Sequence, residues 1–165
     1  MKTLFGIKLA GLLLAGFPAI SGEARIVSGL QSPDAKVMLE HGFRQCLSSG
    51  GNADYMNGLL AKAGFDVVEW GGMFEHGGGS GYFYVSPDFF CEVSAPSVST
   101  EDAVDIARDV LTEFDRITWT TERDTAGCLM LSSDKLGVVV QSDGQDPICG
   151  PIESSSIRVW FGGGE

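Results

Sequence analysis

The chain has 165 residues, with 11 Lys and Arg against 22 Asp and Glu, a formal net charge of −11 at pH 7. This balance argues against nucleic-acid binding and against docking on an anionic membrane, because both surfaces are negative and attract cations. An apolar fraction of 44 % is too high for a disordered chain, and the length suits one domain that buries roughly two-thirds of its unfolded surface.

At the N-terminus, Lys2 and Lys8 accompany an apolar run from Leu9 to Ile20, and Ala19-Ile20-Ser21 offers small residues in a cleavage frame. This is the pattern of a secretory signal peptide. The run is shorter than the ~20 apolar residues that span a bilayer, and Pro18 interrupts it. Residues 1–21 are therefore expected to be removed, with the cut falling between residues 21 and 24, leaving 22–165 as a single exported domain. Loss of Lys2 and Lys8 takes the net charge from −11 to −13. No Cys stands near the cut to carry a lipid, so no stable membrane anchor is expected after cleavage. The expected location is the periplasm or the extracellular space.

A first helix is expected from Ala35 to Ser48, where Leu39, Phe43, Cys46 and Leu47 form one apolar stripe and Gly50-Gly51 ends it. His41 lies opposite that stripe and is expected to face solvent. Asn52 caps a second helix, with Met56, Leu59, Leu60 and Ala63 on its buried face and Gly64 at its end. A third helix opens at Ser99-Thr100, with Glu101 and Asp102 in its first turn. Ala103, Ile106, Ala107, Val110, Leu111 and Phe114 form its buried face. Asp105, Asp109 and Glu113 form a solvated acidic stripe on another face.

Alternating or wholly apolar segments mark the strands. One strand is expected over residues 67–74, with Val68, Trp70 and Phe74 on one face. Tyr82–Val85 and Phe89–Val93 form a hairpin around Ser86-Pro87-Asp88. A strand follows at Ile117–Thr120, and residues 129–131 and 138–140 form a second hairpin. Ile157, Val159 and Phe161 alternate with Arg158 and Trp160 in a last strand. Trp70 and Trp119 are expected in the core.

All four cysteines, Cys46, Cys91, Cys128 and Cys149, follow the signal segment. An even number in an exported chain implies two disulfides, and four cysteines allow three pairings. Cys46–Cys91 with Cys128–Cys149 is preferred, because the hairpin of residues 129–140 carries the chain back beside Cys128. No Cys-x-x-Cys is present, so a zinc ribbon or thioredoxin-like site has no support.

Self-comparison aligns Phe65–Trp70 with Phe114–Trp119 at an offset of 49, and Val85–Phe90 with Ser-rich Leu131–Leu136 at an offset of 46. This suggests a duplicated helix–three-strand unit, plus one extra helix at the front and one extra strand at the end. The expected fold class is α+β: two layers, with a mainly antiparallel sheet and helices packed on one face. The other face is expected to be solvated, closed over or used for binding.

The segment 71–82 holds the most suggestive chemistry. His76-Gly77-Gly78-Gly79 resembles the HGGG oxyanion loop of lipases and esterases, which implies a hydrolase using His76 with Ser80 or Glu75. The G-x-S-x-G nucleophile elbow of those enzymes is absent, and the 144 residues left after cleavage are few for their fold. Ser80-Gly81-Tyr82-Phe83-Tyr84 fits S-G-x-x-Y and resembles the recognition motif of periplasmic lysozyme inhibitors of the small β-barrel type. That resemblance implies an acidic inhibitor of a basic envelope enzyme such as a lysozyme, although the expected helices do not fit that barrel.

Only two histidines occur, without metal-ligand spacing, and Asp143-Gly144-Gln145-Asp146 is best read as a turn. No metal, cofactor or catalytic set is expected. The leading expectation is an exported binding protein with an unidentified protein or small-molecule partner. Phe74, Glu75, His76, Ser80, Tyr82 and Tyr84 are its candidate binding residues, on the open sheet face or at the glycine-rich loop. A further expectation is an envelope subunit that dimerises through its last strand, Ile157–Phe161.

Overall fold

A computed structural model describes residues 22–68, 72–78, 80–86, 90–113, 118–123, 127–142, 149–150 and 153–162. The expected signal, residues 1–21, lies outside them, as do Trp70, Phe114, Ile117 and the turn expected at 143–146. The helices are α1 (Gly22–Leu30), α2 (Ala35–Ser49), α3 (Ala53–Lys62) and α4 (Thr100–Thr112). The strands are β1 (Phe65–Val67), β2 (Met73–His76), β3 (Tyr82–Val85), β4 (Phe90–Ala95), β5 (Thr120–Arg123), β6 (Leu129–Ser132), β7 (Leu136–Gln141) and β8 (Ser155–Phe161).

Local chemistry sets the helix boundaries. Asp34 accepts hydrogen bonds from the Lys36 and Val37 amides at 2.9 and 3.3 Å, Asn52 accepts from Tyr55, and Ser99 accepts from Asp102. Each cap satisfies an amide that the helix itself leaves free. Gly50 closes α2 at φ +58°, a conformation that a side chain disfavours.

α1 was not foreseen. Its apolar residues, Ile26, Val27 and Leu30, form too short a stripe to stand out behind the longer apolar run from Leu9 to Ile20. It packs on α2 and α3. Gly29 allows the close approach, since a Cβ there would lie 2.3 Å from the His41 ring. His41 is therefore half-buried under α1 and does not face solvent as expected.

The strands form one antiparallel sheet in the order β1-β2-β3-β4-β8-β7-β6-β5. Helices cover one face, so the two-layer α+β architecture expected from the sequence is the one observed. Gly42 of α2 brings its backbone onto β3 and β4, where a Cβ would lie 2.6 Å from Phe83 and 2.7 Å from Val93. Around this contact Met38, Leu39, Phe43, Ala103, Ala107 and Val110 meet Val138, Val140, Ile157 and Val159 in a continuous core.

Three strand expectations are corrected. The strand expected at Ile117–Thr120 is β5, which begins only at Thr120, with residues 118–119 outside it. The single strand placed over 67–74 is two strands, β1 and β2, paired through Val67↔Phe74. The last strand does not lie at an edge: β8 pairs with β4 on one side and β7 on the other. Its backbone groups are taken, so it does not offer a dimerising edge through Ile157–Phe161. The edges are β1 and β5, and both are short. β5 is wholly exposed and carries Glu122 and Arg123, which makes it a poor template for further pairing.

Each half of the chain contributes a four-stranded meander preceded by a helix, and the meanders join at β4 and β8. The sequence repeat does not follow this arrangement. Its second match aligns the β3–β4 turn with the β6–β7 turn, which occupy different places in the two meanders. Shared turn chemistry accounts for that match: the Ser86 amide bonds to the Phe90 carbonyl and the Ser133 amide to the Leu136 carbonyl.

Both disulfides have the preferred pairing. Cys46 of α2 joins Cys91 of β4 with Cα atoms 5.6 Å apart, and Cys128 joins Cys149 with Cα atoms 5.0 Å apart. The first ties the helical layer to the sheet. The second is prepared by the β6–β7 pairing of Leu129 with Val140, after which the Gly150 amide bonds to Ser142 Oγ at 2.7 Å.

Candidate functional site

The six residues singled out from the sequence do not form one cluster. Strand alternation places Phe74 and His76 on the helix-covered face and sends Glu75 to the opposite face. Phe74 is buried. The His76 ring packs on Phe65 at 5.2 Å, and its Nδ1 accepts the Gly78 amide at 3.1 Å. Ser80 Oγ donates to the Ser32 carbonyl at 2.8 Å, tying the glycine-rich turn to the α1–α2 loop. Among the described residues, no hydrogen bond joins His76 to Ser80 or Glu75. The hydroxyl proton of Ser80 goes to a carbonyl, which is an anchoring role and not that of an activated nucleophile.

Tyr82 and Tyr84 share the face of Glu75 and are half-buried. Tyr84 stacks on Phe90 at 5.2 Å, and the Arg158 guanidinium lies 4.8 Å from the Phe90 ring and 5.7 Å from the Trp160 ring. Arg158 also donates Nε and Nη2 to Glu92 Oε2 at 2.6 and 2.5 Å. Glu92 is only 1 % exposed. Burial pushes its carboxyl up from the usual range, against the opposing pull of Arg158. Beside it, Ser94 Oγ donates to Glu92 Oε1 and Ser156 Oγ donates to Gln141 Oε1, each at 3.4 Å. Ser94, Ser156 and Gln141 are all buried. The face away from the helices is thus closed over along its middle, one of the three outcomes expected for it.

No local motif points to one further hollow among the described residues. A cavity of about 380 Å³ lies between α4 and the strands β5, β6 and β7. Val104, Leu129 and Val140 supply apolar lining, while Arg108, Arg123 and Glu101 bring charge. Cys149 also borders the cavity, so the Cys128–Cys149 bridge fixes part of its wall. Thr100 Oγ1 donates to the Gly150 carbonyl at 3.0 Å and lies 2.9 Å from Ser142 Oγ, which joins the first turn of α4 to the chain around that bridge. Arg123 Nη1 donates to the Gly127 carbonyl at 2.5 Å. These residues come from four separate stretches of chain, so no local motif marks them. A smaller hollow beside Asn52 and Phe90 measures about 30 Å³, room for roughly one water.

The surface ion pairs lie elsewhere. Lys36–Asp102, Lys62–Glu23 and Arg44 with Glu40 and Glu113 lace the helices together. Hydrogen bonds from Lys62, Lys36 and Arg44 hold the carboxyls of Glu23, Asp102 and Glu113 respectively below their usual range. Among the described residues, no group of three or more His, Cys, Asp or Glu is placed to hold a metal ion, and no helix is long and apolar enough to cross a membrane. No protein-family model, curated protein or solved structure matches the chain.

Proposed function

We propose that the protein is an exported binding domain whose ligand occupies the cavity between α4 and the β5–β7 strands. The cavity carries this reading. Its volume falls within the range of small-molecule sites, and it combines apolar lining with a few charged groups. The location moves from the glycine-rich segment because that segment's side chains diverge, and Phe74, His76 and Ser80 are held in internal contacts. The two disulfides fit an oxidising compartment, and the N-terminal pattern fits export. A cut after Ser21 preserves the whole of α1, including the Glu23–Lys62 pair, so it is favoured over a cut nearer residue 24.

The test is native mass spectrometry of the protein recovered from its own compartment, with Val104→Trp and His76→Ala variants beside it. Val104 is half-buried at the cavity, so an indole there fills space that a ligand would use. The expected outcome is a bound small molecule in wild type and His76→Ala, and none in a folded Val104→Trp. Retention by Val104→Trp, or loss in a folded His76→Ala, would return the site to the glycine-rich segment.

A further inference from the structure

We infer that the cavity takes an anionic ligand with an apolar body, a carboxylate or a phosphate monoester. This rests on the cavity being the ligand site. The observation behind it is how the cations are used. The described Lys and Arg residues are Arg25, Lys36, Arg44, Lys62, Arg108, Arg123, Lys135 and Arg158. Lys36, Arg44, Lys62 and Arg158 are held in ion pairs. Of the four that are not, Arg108 and Arg123 both line this cavity.

With twice as many acids as bases in the chain, a cation finds a carboxylate partner easily, yet neither guanidinium has one among the described residues. They arrive from different elements, Arg108 from α4 and Arg123 from β5, so the fold and not the local sequence brings them to one hollow. Among the described residues, Glu101 is the one acid that lines the same space. Two guanidiniums against one carboxylate make the described lining locally positive on a protein of net −11. Guanidinium groups bind carboxylate and phosphate oxygens through paired, charge-assisted hydrogen bonds. Half-buried Val104, with Leu129 and Val140 behind it as the floor, gives the rest of the ligand an apolar wall, which a bare inorganic anion would leave uncovered.

Calorimetric titration of the disulfide-intact exported protein tests this with four probes of one chain length: octanoate, octyl phosphate, octanol and octylammonium. Arg108→Gln and Arg123→Gln fall on exposed positions and leave the core untouched. Lys135→Gln controls for net charge, because Lys135 does not line the cavity. The expected result is binding of octanoate, octyl phosphate or both, with octanol at least roughly tenfold weaker and octylammonium silent. Each Arg→Gln change should weaken the anion by roughly tenfold or more, Lys135→Gln should not, and added salt should weaken binding. Preference between the two anions distinguishes carboxylate from phosphate. Octanol binding as well as the anions, with Val104→Trp still blocking it, would overturn the anionic ligand and leave the cavity as the site. An anion bound equally by wild type, the double Arg variant and Val104→Trp would overturn both, as would silence from all four probes.

Discussion

Arg158→Met should destabilise the domain by about 3–5 kcal/mol at neutral pH, because it strands a carboxylate in the interior. Glu92 is 1 % exposed and Arg158 is its ion-pair partner. Removing both charges together, as Glu92→Leu with Arg158→Met, should recover most of the loss, since an apolar pair of similar volume carries no desolvation cost. The loss should also depend on pH. The folded-state pKa of Glu92 lies above its ordinary value of 4.5, so the folded protein binds the proton more tightly than the unfolded chain. Such a group contributes stability below about pH 4.5 that is lost as pH rises through its folded pKa. Without Arg158 that window extends further upward. Urea unfolding should therefore show a smaller cost for Arg158→Met near pH 4 than near pH 7. Glu23, Asp102 and Glu113 act in the opposite direction, as their depressed pKa values favour folding above the usual carboxylate range and lose that effect as pH falls. They are common to wild type and variant and cancel in the difference. Equal costs at the two pH values would contradict a buried, charge-paired Glu92.

Cys46→Ala with Cys91→Ala should cost about 4 kcal/mol, and Cys128→Ala with Cys149→Ala about 3 kcal/mol, by loop-closure entropy. The order follows from the sequence separations of 45 and 21 residues, since the longer loop frees more of the unfolded chain. The two losses should differ in kind as well. Cys46–Cys91 joins α2 to β4 across the core, so its removal lowers the stability of the whole domain. Cys149 borders the cavity, so loss of the second bridge should weaken ligand retention more than the first at equal folded fraction. Denaturant titrations of the two double variants, each with a binding measurement, separate these effects. A larger stability loss from the 128–149 bridge would contradict the entropic ordering.

The helices were legible because their signals are local: Asn52 and Ser99 as caps, Gly50 as a stop, and the apolar stripe from Leu39 to Leu47. The disulfide pairing was legible because a hairpin returns the chain beside Cys128. β1 and β2 were merged because Val67, Val68, Trp70, Met73 and Phe74 continue an apolar pattern across their junction. Glu75 and His76 were read with the glycine-rich loop beyond the end of that strand. Once residues 73–76 are a strand, Glu75 and His76 must point to opposite faces, however close they stand in the chain. β8 looked like an edge because it comes last in sequence, whereas its partners, β4 and β7, come from the two halves of the fold. The cavity was invisible for the same reason: Val104, Arg108, Arg123 and Val140 become neighbours only after long-range pairing. The useful sequence clue was scarcity, since each of so few cations on an acidic chain warrants an accounted partner.

The most direct test of an exported, cross-linked domain is mass spectrometry of the naturally produced protein, with thiols blocked at lysis and peptides mapped without reduction. The expected result is a new N-terminus just after Ser21, together with peptides joined through Cys46–Cys91 and Cys128–Cys149. A chain that keeps Met1 and carries the blocking group on all four cysteines would contradict it.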